Sequence, residues 1–310
     1  MSAQLLHFRD RSPSEVSLPD LLVTCITGEH RSRHIMEEVA TGAKHTWCIL
    51  SPSDRHSLEE CDALRCFGSE VVTEPTLEER FRAFCAGQNK RLSIVVDISC
   101  MSRSLLAEIF RNIFQNADEC ELLVTVMYAF AAFTPPPNDM PANADICPVL
   151  EAFAGWPDTS GASTALIVGL GYERQKAEGA CEYFDPTETW VFAPRSPLTE
   201  YDVAVLDNNA ELLARADRRA RKIDYKVDEP ERTFGQLVST ISSVRARATP
   251  VLLPFGPKLF FVISLFVSFL YPEVGVWVVT GDLVDPGEDH EASGHVVAFE
   301  AYLGKKTCCE

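Results

Sequence analysis

Residues 23–53, VTCITGEHRSRHIMEEVATGAKHTWCILSPS, lie without a gap over residues 166–196, LIVGLGYERQKAEGACEYFDPTETWVFAPRS. Gly28 falls on Gly171, Arg31 on Arg174, Thr46 on Thr189, Trp47 on Trp190 and Ser53 on Ser196, while Arg33 meets Lys176. The apolar runs coincide at both ends. A second block follows at a slightly larger offset, as though the second copy carried about a dozen extra residues in a surface loop or lengthened helix. It sets Glu74 and Pro75 on Glu229 and Pro230, Arg103 on Lys258, and IVVDISCMSRSLLAEIF on TPVLLPFGPKLFFVISL. Two blocks in the same order, each in hydrophobic register, read as an internal duplication.

Within each copy short β-branched apolar runs alternate with amphipathic helical stretches, a β-α-β pattern. In the first copy strands are expected near 21–26, 46–50, 94–98 and 121–128, and helices near 30–39, 58–67, 77–86 and 104–116. In the second, strands are expected near 165–170, 189–193, 250–254 and 276–280, and helices near 173–183, 203–221, 233–244 and 259–270. Strands apolar on both faces fit parallel sheets covered by helices. The fold class is therefore α/β, with two tandem Rossmann-like units in a pseudo-twofold arrangement. The units are expected at 1–134 and 163–310, joined by a Pro-rich linker over 135–162. A final strand at 295–299 is expected to extend the second sheet after the acidic loop 282–291.

The chain of 310 residues is 46% hydrophobic, enough for a sizeable core, and its length fits about two domains. A formal net charge of -17 argues against general nucleic-acid binding, which draws on a basic face. The 11 Cys contain no C-x-x-C pair, so neither a disulfide framework nor a zinc knuckle is expected, and a reducing cytoplasmic setting is. The opening MSAQLLHFRDRSPSE lacks the apolar core of an export signal, and Cys308-Cys309-Glu310 does not fit a prenylation box. The apolar run 259–271 falls short of the roughly 20 residues that span a bilayer. It reads as a buried helix before a buried strand, and no membrane partner is expected.

In an open parallel sheet, ligands gather at the carboxyl ends of the strands, where loops run into helix N-termini. The loop after the opening strand carries Gly28, Glu29 and Arg31 in the first copy and Gly171, Glu173 and Arg174 in the second. The turn after the third expected strand carries Asp97, Ser99 and Arg103, and in the second copy Gly256 and Lys258. Glycine permits close backbone approach, helix-start amides favour anions, and arginine adds charge. Each signal has a bland counterpart: Arg31 alone reads first as a solvated helix-start residue, and Asp97 equally as a cap or as an anchor for Arg103. The recurrence makes both loops candidate ligand sites.

Catalytic and metal readings have less behind them. His30 and His34 have i, i+4 spacing, but HRSRH lacks the glutamate of a zincin helix, so no metal is expected. Ser99 and Cys100 sit on a strand-to-helix turn without a G-x-S-x-G elbow, and Cys100 reads as a small buried residue. Neither a Walker motif nor a complete G-x-G-x-x-G is present, and no cofactor is expected. Trp47 and Trp190 read as packing residues.

A strand, a polar loop, a helix, and a later strand running into a small-residue turn with Lys or Arg resemble the CARF family of Rossmann-like sensor domains in prokaryotic antiviral systems. The tandem arrangement is similar to the SAVED relatives of that family, in which two such units form a pseudo-dimer. The resemblance implies a signalling nucleotide bound between the repeats, on Gly28, Arg31, Ser99 and Arg103 with Gly171, Arg174, Gly256 and Lys258. It also implies a non-catalytic nucleotide-sensing or accessory subunit, read out by an effector or complex partner protein. Phe255-Gly256-Pro257-Lys258 departs from the Gly-Gly-Thr-type turn of that family, and Ser99-Cys100-Met101-Ser102 departs further. Two alternatives stay open: a scaffold subunit of a defence complex, and a hydrolase of a nucleotide or glycosidic bond using Asp97, Ser99 or Cys100.

Overall fold

The computed structural model describes residues 3–27, 29–39, 42–50, 69–88, 90–135, 145–155, 163–173, 176–280 and 290–305. The expected helix at 58–67, most of the acidic loop 282–291, and the candidate residues Gly28 and Arg174 lie outside the described residues. The chain divides into two units, Met1–Ala132 with Asp285–Glu310, and Phe133–Val284.

The first unit holds β1 (Gln4–Arg11), β2 (Leu21–Ile26), β3 (His45–Leu50), β4 (Glu70–Val72), β5 (Leu92–Asp97), β6 (Leu122–Ala131) and the final strand β13 (Ala292–Gly304). Its helices are α1 (His34–Val39), α2 (Leu77–Cys85) and α3 (Arg103–Asn116). The sheet order is β1-β13-β6-β5-β2-β3-β4. Strands β6 through β4 run parallel, and β13 and β1 close the β6 edge antiparallel. All six residues of β2 are buried, as a central strand covered on both faces must be. On one face Leu22, Ile26, Cys48 and Val95 pack with Ile35 and Met36 around α1. Successive strand residues point to opposite faces. Trp47 accordingly meets Phe81 of α2 edge-on at 5.1 Å between ring centroids.

The second unit holds β7 (Asp145–Pro148), β8 (Thr164–Gly169), β9 (Glu188–Arg195), β10 (Lys222–Lys226), β11 (Thr249–Pro254) and β12 (Gly275–Thr280). Its helices are α4 (Lys176–Phe184), α5 (Thr199–Asn208), α6 (Ala210–Arg218), α7 (Pro230–Val244) and α8 (Lys258–Leu270). The order β10-β9-β8-β11-β12-β7 repeats that of the first unit, parallel throughout except for β7. Both units are thus Rossmann-like, with the strand order reversing between the first and fourth parallel strands. Register agrees as well. Val23 pairs with Val96 in one sheet and Leu166 with Val251 in the other, and these are the residues that the two sequence blocks superimpose.

The apolar run near 259–270 is α8, whose residues from Leu259 to Ser268 are all buried. Full burial of Phe260, Phe261 and Phe266 removes three aromatic rings from water, about 2 kcal/mol apiece. The helix reaches this depth because Gly169 has no side chain: a Cβ there would lie 2.4 Å from the Phe260 ring. No helix among the described residues is long and apolar enough to cross a membrane.

Two expectations need correction. The strand at 295–299 joins the first sheet, between β6 and β1, and not the second. β6 is the longer strand and offers an open edge, whereas the matching edge of β12 is taken by β7. The segment read as a linker therefore contributes a strand, and it also contains a short 3-10 turn, Glu151–Phe153. At the outer edge, buried Glu300 of β13 pairs with Arg9 at 2.7 Å and Arg11 at 3.3 Å, which fastens β1.

Candidate ligand site

In the first unit the crevice lies where the chain leaves β2 and β5 at their carboxyl ends. Asp97, the last residue of β5, is 2% exposed. One carboxylate oxygen accepts from the Ser99 amide at 3.0 Å, and the other from Thr24 Oγ1 at 3.4 Å. Burial pushes this carboxyl up, against the opposing effects of Ser99, Thr24 and the Arg31 charge. Ser99 Oγ in turn accepts from the Ala129 amide at 2.9 Å. β6 makes this contact possible because it runs on past the end of β5, which pairs Asp97 with Met127.

Arg31 enters from the short turn His30–Arg33 that opens α1. Its guanidinium donates to Glu29 Oε2 at 2.7 Å and to the Ala129 carbonyl at 3.2 Å, and it lies within hydrogen-bonding reach of Tyr128. Burial disfavours the cation, but Tyr128, Cys100 and Glu29 together hold Arg31 more firmly protonated than usual. Burial raises the Tyr128 phenol, and the charges of Arg31 and Arg103 pull it the other way. Arg103 is the first residue of α3, whose N-cap Ser102 accepts from the Leu105 amide at 3.1 Å. The structure therefore gathers Glu29, Arg31, Asp97, Ser99 and Arg103 into one cluster. Tyr128 and Ala129 were not among the sequence candidates. They sit at the carboxyl end of the fifth parallel strand, where the rule that located the two loops applies equally.

In the second unit the corresponding loops close on each other. The Phe255 and Gly256 amides both donate to the Gly169 carbonyl, at 2.9 and 3.1 Å. A Cβ on Gly256 would lie 2.3 Å from the Leu170 carbonyl oxygen, so only glycine fits this approach. The carbonyl of buried Gly171 accepts from Asn209 Nδ2 at 3.0 Å, and that of Tyr172 from Asn208 Nδ2 at 2.7 Å. Glu173 and Lys258 are half-buried, and among the described residues the buried cation here is Lys176, the counterpart of Arg33. Thr24, Asp97 and Ser99 of the first copy are matched by Ile167, Leu252 and Pro254, all buried and apolar. The Asn208–Asn209 clamp also breaks the helix expected over 203–221 into α5 and α6. Two adjacent asparagines, poor helix formers, were the sequence signal for that break.

The described residues contain no group of three or more His, Cys, Asp or Glu side chains able to hold a metal ion. No protein-family model matches the chain, and no curated protein does. Among solved structures, the chain is similar to the cytoplasmic domain of a prokaryotic cation chloride cotransporter. That similarity has a TM-score of 0.25 and 10% sequence identity, and covers 83% of this chain and 93% of the other.

Proposed function

We propose that the first unit binds a phosphate-bearing nucleotide and that the chain acts without catalysis, as a cytoplasmic sensing or accessory subunit read by a partner protein. This is the role that the CARF-like and SAVED-like resemblance implies, in antiviral defence. The observation that carries the reading is the Arg31–Glu29 pair, set with Arg103, Tyr128, Ser99 and Asp97 at the strand-order reversal of the first unit. Ligands of open α/β sheets bind at that reversal. A buried, firmly protonated arginine beside the first turn of a helix suits a phosphate. Glu29 occupies Arg31 as an internal anion, and its side chain is 21% exposed against 7% for Arg31. It can therefore swing to solvent when a ligand anion takes its place. Gly28, Glu29, Arg31, Ser99 and Arg103 form the binding set, and Asp97 holds the Ser99 turn. Gly171 and Gly256 stay outside this set, because the Gly256 amide and Gly171 carbonyl are already committed within their own unit.

Native mass spectrometry of the full chain, with release and identification of any bound small molecule, tests this. The same protein is titrated with a panel of linear and cyclic oligonucleotides. Wild type and Lys258→Glu are expected to carry the same nucleotide, and Arg31→Glu to lose it. A nucleotide retained by Arg31→Glu overturns the assignment. The scaffold reading is favoured by one observation, that Arg31 is already engaged by Glu29 and Ala129. It predicts no nucleotide on any of the three proteins and a co-purifying chain on all.

A further inference from the structure

The two loops that close the second crevice bring oxygen against oxygen. Glu173 turns its carboxyl group back over Gly171: Oε2 fills the place that a Cβ on that glycine would take, and the Phe255 carbonyl oxygen lies 2.8 Å from the same point. At the next step of the crossing, the Leu170 carbonyl oxygen fills the place of a Cβ on Gly256. None of these three oxygens can donate a hydrogen bond to another. Glu173 Oε2 is cut off from solvent, and it has no hydrogen-bond partner among the described residues. An ionised carboxylate is costly to take out of water without a counter-charge, and an orphaned buried oxygen marks the place of a bound ion or water. The crossing lies where the chain leaves the neighbouring strands β8 and β11, at the strand-order reversal of the second sheet.

We propose that a hard monovalent cation, potassium or sodium, binds at this crossing and joins the loop 170–173 to the turn 255–257 through Glu173 Oε2 and the Phe255 and Leu170 carbonyls. Carboxylate and carbonyl oxygens are the ligands such ions take, with water completing the shell. The first unit shows the same bridge made with a side chain: the Arg31 guanidinium joins the Glu29 carboxylate, at 2.7 Å, to the Ala129 carbonyl, at 3.2 Å. In the second unit the carboxylate and the carbonyls are in place, and the inorganic ion takes the part of the guanidinium. One carboxylate among neutral carbonyls balances a single positive charge. The buried ammonium group of Lys176, three residues on, disfavours a second.

Thermal unfolding of the full chain in potassium, sodium and choline chloride at equal ionic strength tests this, with calcium chloride added to the choline buffer as a fourth arm. Potassium or sodium is expected to raise Tm by at least about 2 °C over choline, saturably, and the ion with the lower half-saturating concentration is the one selected. Glu173→Gln gives the Phe255 carbonyl an amide donor in place of the ion. It is therefore expected to be at least as stable as wild type in choline and to lose the response to potassium and sodium. Hydrogen exchange on wild type should show protection gained on ion binding in 169–173 and 254–259, and none in 21–39. Equal Tm in all four buffers means that the carboxylate is neutralised from within the chain, and overturns the proposal. So does a response to calcium alone, a monovalent response that survives Glu173→Gln, or protection gained only outside the two loops.

Discussion

Thr24, Asp97 and Ser99 in the first unit and Ile167, Leu252 and Pro254 in the second occupy matching places on two sheets of the same strand order. The second set is what a buried sheet end needs for stability alone: apolar side chains, with loop amides spent on loop carbonyls. The first set buries a carboxylate whose protonation is favoured by burial, and surrounds it with donors. Ionising such a group costs stability, and the cost grows as pH rises through its raised folded value. Sequences that depart from the stabilising choice at one place in a fold tend to do so where function is located. The shared strand order therefore supplies an internal control: one unit shows what the fold requires, and the other where it departs from that.

The largest expected effect comes from removing the centre of the added network. Arg31→Met leaves the Ala129 carbonyl and the Glu29 carboxylate without their donor. Breaking a buried pair costs roughly 3–5 kcal/mol; with Glu29 able to turn to water, the low end applies, about 3 kcal/mol. Urea unfolding of the two proteins measures it. Hydrogen exchange should place the loss in 21–39 and 122–131, and leave 249–270 unchanged. A loss below about 0.5 kcal/mol would mean that the network adds nothing the second unit lacks.

The reciprocal change tests the closed loops. Gly256→Ala drives a Cβ against the Leu170 carbonyl, and neither backbone can retreat without parting from Gly169. Overpacking of this kind costs about 2 kcal/mol. Nucleotide binding assigned to the first unit should be unaffected, because Met101 already fills the matching place there. Equal loss of binding in Gly256→Ala and Arg31→Met would show that the second unit takes part after all.

How much of this was legible in the sequence follows from where the information sits. The buried parallel strands announced themselves, because 21–26 and 164–169 are apolar on both faces and punctuated by polar turns. The edge strands did not. β4 is short and mostly exposed, β10 reads Lys-Ile-Asp-Tyr-Lys, and β1 carries charge at Arg9, Asp10 and Arg11. An edge strand needs only one buried face and a neighbour, so its composition is that of a loop. The pairing of β13 with β6 was illegible for a related reason, since a free sheet edge is a property of the assembled unit. At the site, Arg31, Asp97, Ser99 and Arg103 are legible because they lie at or just beyond the ends of apolar runs. Their convergence on Tyr128 and Ala129 depends on how far β6 overshoots β5, and no local pattern encodes that.

The smallest effect concerns the opposite ends of the same strands. Asp20 precedes β2 and accepts from Ser93 N at 2.9 Å, Ser93 Oγ at 3.1 Å and Lys44 Nζ at 2.6 Å, tying the amino ends of β2, β5 and β3 together. Burial alone would raise its carboxyl, but Lys44 and Ser93 outweigh it and hold the value at about 2, against an ordinary 3.8. A depressed folded value means that the contribution is fully present above about pH 4 and is lost as pH falls through about 2. Lys44 and Lys90 are well exposed, which screens their share, so the amount at stake is about 1 kcal/mol. In the second unit Ser163 occupies this place and contributes a backbone carbonyl to Thr249, an acceptor that does not titrate. Wild type should therefore lose about 1 kcal/mol more stability than Asp20→Asn between pH 5 and pH 2.5, while a carboxylate introduced as Ser163→Asp, with no lysine at the position matching Lys44, should not reproduce the slope. Parallel acid titrations of urea stability for the three proteins decide it: equal slopes in wild type and Asp20→Asn would remove pH response from the list of features that separate the two copies.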